Sequence, residues 1–216
     1  MTLSDLSRLV ARAEDVLGRV EALLPAPAAA PDWRAGVAFR WVRRHGQGRL
    51  LPVRKPHAIR LKDLRDIDEQ KARIERNTRQ FIEGRLANNV LLTGARGTGK
   101  SSLVKALLTQ YAGKGLRLIE VDKNDLIDLP EIIDLIDGRS ERFILFCDDL
   151  SFEEGEAAYK ALKSVLDGSL AAVPENVLIY ATSNRRHLMP EYHDENLMAR
   201  HVNGEVHPAE ATEEKI

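Results

Sequence analysis

Asn89-Val90-Leu91-Leu92-Thr93-Gly94-Ala95-Arg96-Gly97-Thr98-Gly99-Lys100-Ser101-Ser102 decides how this chain folds. The first five residues are a short apolar run of the kind that makes a buried strand. Gly94 to Ser101 fit the phosphate-binding spacing GxxxxGK[ST], and from Ser102 to Tyr111 the apolar Leu103, Val104, Leu107 and Leu108 recur at helical spacing. Gly94, Gly97 and Gly99 let a loop turn with positive φ. The loop, with Ala95, Arg96 and Thr98, can then bring backbone N–H groups against phosphate oxygens, backed by the positive end of a helix dipole. Lys100 would supply a point charge to the β and γ phosphates of a nucleotide, and the Ser101 hydroxyl would ligate Mg²⁺. Thr98 and Ser102 are further candidates for phosphate contact. A glycine-rich turn that binds nothing is the alternative that the spacing alone leaves open.

A magnesium-dependent site also needs a carboxylate at the end of a neighbouring strand. Phe143-Ile144-Leu145-Phe146-Cys147 is an apolar run that ends in Asp148-Asp149, the pattern of a buried parallel strand delivering acids at its C-terminal edge. Asp148 would hold the metal, and Asp149 stands where a general base could orient an attacking water. A third run, Val177-Leu178-Ile179-Tyr180-Ala181-Thr182, ends in Ser183-Asn184. The Asn184 amide could hydrogen-bond a γ-phosphate or that water; a plain turn residue is the other reading.

With these three elements the chain resembles the AAA+ P-loop ATPases, GARGTGKS standing as Walker A, FILFCDD as Walker B and IYATSN as the sensor-1 strand. Within that superfamily it is most similar to a bacterial family of ATP-binding proteins known as domain of unknown function 815. The similarity runs from about Trp33 to the last residue. It implies a three-layer α/β/α core, ATP and Mg²⁺ as cofactors, Lys100, Asp149 and Asn184 as catalytic residues, and ATPase activity coupled to assembly or remodelling of a protein partner. A homo-oligomer would let Arg185, Arg186 or Arg200 act on a neighbour's nucleotide, though a solvated basic patch is the more common role for each.

Two departures from the wider pattern bear on rate. The usual Asp-Glu pair is Asp148-Asp149 here, so the base is one methylene shorter unless Glu153 or Glu154 assists. A misplacement of about 1 Å can cost roughly 10²-fold. The chain also stops at Ile216 without the arginine-finger segment and helical lid that most AAA+ proteins carry, and such a finger is worth roughly 10³ to 10⁵ in turnover. The expectation is nucleotide binding with weak hydrolysis. Residues 58–71 occupy the place of the box lining the adenine pocket, with Ile59 and Ile67 as apolar candidates and Asp66 where the pattern has glycine. Aspartate tolerates positive φ better than most residues. Ile67 would serve equally well in helix packing.

The remaining chain reads as follows. With 216 residues, 44% hydrophobic, and a net charge of -1, one large domain with an appendage is expected. No apolar run approaches the ~20 residues that span a bilayer, and residues 1–20 do not resemble a signal peptide. The single Cys147 excludes an internal disulfide, and a cytoplasmic chain without membrane contact is expected. Residues 1–24 carry a helical apolar pattern that packs in cis or pairs with another copy, and 25–31 are a Pro/Ala linker. Residues 32–62 form a basic module in which Trp33, Phe39 and Trp41 interleave with arginines and lysines. That mixture suits either a small local core or a nucleic-acid surface. The nucleotide-binding core should cover 63–191, with helices at 70–81, near 130–136 and from a Ser151/Glu154 capping box to Leu166, and a further strand at 116–121. A flexible acidic tail is expected over 192–216. Two other functions stay open: a nucleotide-gated adaptor or nucleic-acid-binding module with incidental hydrolysis, and a small-molecule kinase, for which no acceptor pocket or arginine-bearing lid is legible.

Overall fold

The computed structural model describes residues 3–23, 31–33, 36–44, 46–153, 156–167, 174–184, 200–202 and 205–207. Strands β3 (Val90–Thr93), β4 (Leu116–Glu120), β5 (Arg142–Cys147) and β6 (Val177–Ser183) fall close to the expected runs. They pair in parallel in the order β4-β5-β6-β3. Both faces of the two central strands are covered, which explains why they read as continuous apolar runs rather than as alternating ones. Phe143, Leu145 and Cys147 of β5 pack with Val177, Ile179 and Ala181 of β6 under helices α4 (Leu129–Ile136) and α5 (Ala157–Leu166). On the opposite face, Ile144 and Phe146 pack with Leu178 and Tyr180 under α2 (Asp68–Ile82) and α3 (Lys100–Tyr111). The result is the expected three-layer α/β/α arrangement.

Residues 38–52 depart from expectation. They are not a separate module: β1 (Ala38–Arg44) pairs in parallel with β4, and β2 (Gln47–Pro52) returns antiparallel on β1, extending the sheet to six strands. The aromatics join the main core instead of making a local one. Phe39 and Trp41 are each 1% exposed, and Trp33 meets Phe39 and Phe143 edge-on at centroid distances of 4.9 and 5.0 Å. Gly48 of β2 lies flat against the Trp41 indole, where a methyl group would overlap the ring. The Trp41 Nε1–H donates to Asp128 Oδ2 at 2.9 Å, and Arg43 donates to Asp128 Oδ1 at 3.0 Å. Arg40 pairs with Glu120 of β4. Two arginines of the basic run are thus engaged within the fold, and its described aromatics have no ring face free for stacking on bases.

Smaller differences follow from packing. The helix expected from Ser151 begins at Ala157, because Leu150 and Phe152 are fully buried and anchor the chain in the core before the first helical turn. Glu154 and Gly168 lie outside the described residues. Helix α1 spans Leu3–Leu23, with Val10, Val16 and Leu17 exposed. The linker, apart from Pro31, and most of 192–216 also lie outside the described residues. Within the latter, β7 (Arg200–Val202) and β8 (Glu205–His207) make a separate antiparallel pair. No helix of the described residues is long and apolar enough to cross a membrane.

Asp128 is 7% exposed and holds two donors from β1. Replacing it by alanine orphans the buried indole N–H and the Arg43 contact, so Asp128→Ala should lower unfolding free energy by about 2–3 kcal/mol. Urea denaturation measures this; an unmoved midpoint would show that the hairpin is held by apolar packing alone.

Candidate functional site

Parallel pairing brings the three strand-end motifs together. Thr93 of β3 is in register with Ser183 of β6, and Cys147 of β5 with Ala181. The residues that follow each strand therefore emerge side by side at the C-terminal edge of the sheet, the usual place for a ligand in an open α/β fold. A cleft of about 300 Å³ opens there. Of the sequence-predicted residues, Arg96, Gly97, Thr98, Gly99, Lys100, Ser101, Ser102, Asp148, Asp149 and Asn184 line it. Gly94 and Ala95 do not, but their carbonyls reach into the same network.

The loop conformation requires its glycines. Gly97 and Gly99 have φ of 79° and 87°, in the left-handed region that costs other residues energy. Gly99 caps α3, its carbonyl accepting from Leu103 N at 2.8 Å. Thr98 Oγ1 donates to Ala95 O at 2.9 Å and closes the loop on itself. Burial of Leu103, Val104 and Leu107, at 2% exposure or less, anchors the helix below; each such side chain contributes about 1.5–3 kcal/mol. A helix start with oriented N–H groups is thereby fixed against the sheet.

Lys100 Nζ donates to Gly94 O at 2.7 Å, Ala95 O at 2.8 Å and Asn184 Oδ1 at 3.0 Å. The ammonium is held in the cleft by neutral oxygens, partners that an anionic oxygen would outcompete. Ser101 Oγ donates to Asp148 Oδ1 at 2.6 Å. That pair, one carboxylate and one hydroxyl, is the oxygen donor set that suits Mg²⁺ shared with a phosphate ligand. No cluster of three or more His, Cys, Asp or Glu suited to a metal occurs among the described residues.

Asp149 has φ of 55°, unusual for a residue with a side chain. Asn184 Nδ2 donates to its Oδ1 at 2.5 Å, and Arg96 of the loop reaches its Oδ2 at 3.7 Å. Asn184 therefore contacts both Lys100 and Asp149, which the sequence places far apart. Thr182 is the cleft residue that sequence reading passed over. Its Oγ1 donates to Asp148 Oδ1 at 2.5 Å and accepts from Asp149 N at 2.8 Å. A hydroxyl ending an otherwise apolar strand was the available signal.

Asp66 does adopt positive φ, at 60°. Ile67 packs against the α2/α3 core, the helix-packing alternative, and Leu64 rather than Ile59 lies beside Gly99. Glu153 does not line the cleft; Glu154, Arg185, Arg186 and the Arg200 side chain lie outside the described residues.

A family model described as "Protein of unknown function (DUF815)" matches residues 34–216. Among solved structures, the chain is similar to PCH-2 of C. elegans, with 23% identity over 55% of this chain and 37% of that one and a TM-score of 0.41. A DNA replication initiation factor has 19% identity, covering 59% and 41%, with a TM-score of 0.43. AMPPCP-bound DnaA from Aquifex aeolicus has 18% identity, covering 59% and 42%, with a TM-score of 0.40. This chain spans about two fifths of the length of these three. No curated protein matches.

Cys147 precedes Asp148 and is fully buried, and burial pushes its thiol up to about 12. Almost none of it would be thiolate at pH 7.5. The folded protein should resist iodoacetamide at that pH and label fully after denaturation, as mass spectrometry can follow. Rapid labelling of the native chain would mean that the strand end opens to solvent.

Proposed function

This chain belongs to the DUF815 family, and we propose that it is a Mg²⁺-dependent ATP-binding P-loop protein of AAA+ type that hydrolyses ATP slowly. One observation carries the reading: Lys100, Ser101, Asp148, Asp149 and Asn184, drawn from three separate strand ends, meet around a single cleft. Loop N–H groups and Lys100 would bind the phosphates, whose oxygens would replace the Gly94 and Ala95 carbonyls as partners of the ammonium. Ser101 and Asp148 would hold Mg²⁺, which when bound neutralises charge on the β and γ phosphates.

Asp149 is the base in this reading. Its carboxylate would take a proton from the water whose oxygen attacks the γ-phosphorus, while the bond to the bridging oxygen breaks and ADP leaves. Asn184 would orient both groups, accepting from Lys100 and donating to Asp149. An aspartate reaches one methylene less far than a glutamate, and about 1 Å of misplacement can cost roughly 10²-fold, so weak turnover is expected. Exchange of ATP for ADP would then drive assembly or remodelling of a protein partner in the cytoplasm, with a homo-oligomer as the working form. The engagement of Asp149 by Asn184 and Arg96 also supports a second reading, a nucleotide-gated adaptor without significant hydrolysis.

Binding of a fluorescent ATP analogue and phosphate release test this directly. Lys100→Ala should weaken Mg-ATP binding at least about tenfold, the equivalent of 1.4 kcal/mol. Asp149→Asn should bind within about twofold of the parent and release no phosphate above background. Unchanged affinity in the Lys100 variant would refute the site, whereas binding without turnover in the parent would select the adaptor.

A further inference from the structure

Thr182 stands in contact with both acids of the site at once. A hydroxyl has one proton and two lone pairs. Here the proton goes to Asp148 Oδ1 at 2.5 Å, and a lone pair accepts the Asp149 N–H at 2.8 Å. The backbone of the same residue accepts Leu150 N at 2.7 Å, and Ser183 Oγ donates to Leu150 O at 2.7 Å. The turn after β5 is therefore stitched to the end of β6 over three consecutive residues. Thr182 is 1% exposed, so its hydroxyl is committed to these partners rather than to bulk water.

Two consequences follow from that geometry. Asp148 Oδ1 is fixed from two sides, by Ser101 on the phosphate loop at 2.6 Å and by Thr182 on the sheet. Asp149 is held with φ of 55° by a hydrogen bond from its own N–H, so the peptide that joins the two acids cannot swing. Loss of the Thr182 hydroxyl would free that peptide and move both carboxylates together. β-Branching adds to the effect, since a branched residue in a strand has restricted χ1 and presents its hydroxyl in one direction.

We propose that Thr182 is the positioning residue for both acids, setting Asp148 to receive the cation and Asp149 to face the attacking water. This deepens the nucleotide-site reading and rests on it. The role differs from a purely structural one in what it should control. Cation dependence should change while nucleotide affinity in the absence of cation stays, because the Thr182 hydroxyl bonds to the two acids, whereas Lys100 bonds to Gly94, Ala95 and Asn184.

The test compares Thr182→Val, which keeps shape and removes the hydroxyl, with Thr182→Ser, which restores it, both in the full chain. In Thr182→Val, half-saturating Mg²⁺ for fluorescent-ATP binding should rise about 10- to 100-fold, as for loss of other groups that orient a metal ligand. Affinity in EDTA should stay within about twofold, and Thr182→Ser should recover most of the loss. Amide exchange followed by NMR without nucleotide should show the Asp149 N–H at least about tenfold faster in the valine variant, with Leu150 little changed. Wild-type Mg²⁺ dependence in Thr182→Val, an equal loss of affinity in EDTA, or a serine variant as impaired as valine would each overturn the proposal. If the valine variant fails to unfold cooperatively, Thr182→Ala is judged on the same criteria. A parent chain that binds no Mg-ATP would refute the nucleotide reading instead, and unchanged Asp149 exchange would separately refute the positioning role.

Discussion

Insertion of β6 between β5 and β3, parallel to both, is the constraint on which the site depends. Parallel strands end on the same edge, so every residue following a strand end must appear there. Register then sets distances: Thr93 opposite Ser183 and Cys147 opposite Ala181 put Asp148, Thr182 and Asn184 within hydrogen-bond reach of one another or of the loop. Residues 143–147 and 177–181 inside the central strands are apolar, and burying a charge among them would be costly. Polar chemistry is thus confined to the rim, where Asp148 is half-buried and shared by two hydroxyls. A hydrophobic sheet and a polar site are two results of the same pairing.

Much of this was legible because its signals are local. The P-loop needs fixed spacing, and that spacing survives in Gly94 to Ser101 without any tertiary information. The two runs at 143–147 and 177–182 announce buried strands by being apolar on both faces, and the acids and amide beyond them follow. A positive φ at Asp66 was foreshadowed because the resembled pattern has glycine there and aspartate tolerates that conformation better than most residues. Thr182 was not, since a strand-end threonine has the same pattern whether its hydroxyl meets a carboxylate or solvent. Only the register reveals its two partners.

The hairpin shows a different kind of illegibility. Phe39 and Trp41 are buried on one face, Arg43 follows them on that face at the more exposed end, and Arg40 lies on the other, an alternation too short and too charged to stand apart from a basic surface run. Two of its charges, Arg40 and Arg43, are matched by acids that lie about 80 residues on, Glu120 and Asp128. A run of like charge in one dimension is a set of internal partners in three. Lateral addition of β1 and β2 also covers the β4 edge, so a parallel edge is replaced by an antiparallel one bearing Gln47, Arg49 and Pro52.

The left-handed backbone at Asp149 sets chemistry against stability. A glycine would occupy that conformation with no steric penalty, and in an L-residue it costs about 1 kcal/mol or more. Optimised for folding alone, the chain would therefore carry glycine there and no carboxylate. The native sequence holds an aspartate in a conformation that glycine would suit better, and relies on its neighbours on β6 to keep it there. Screens that select only for thermal resilience would be drawn to this position, and the variants they enriched would be firmer proteins with an emptied site.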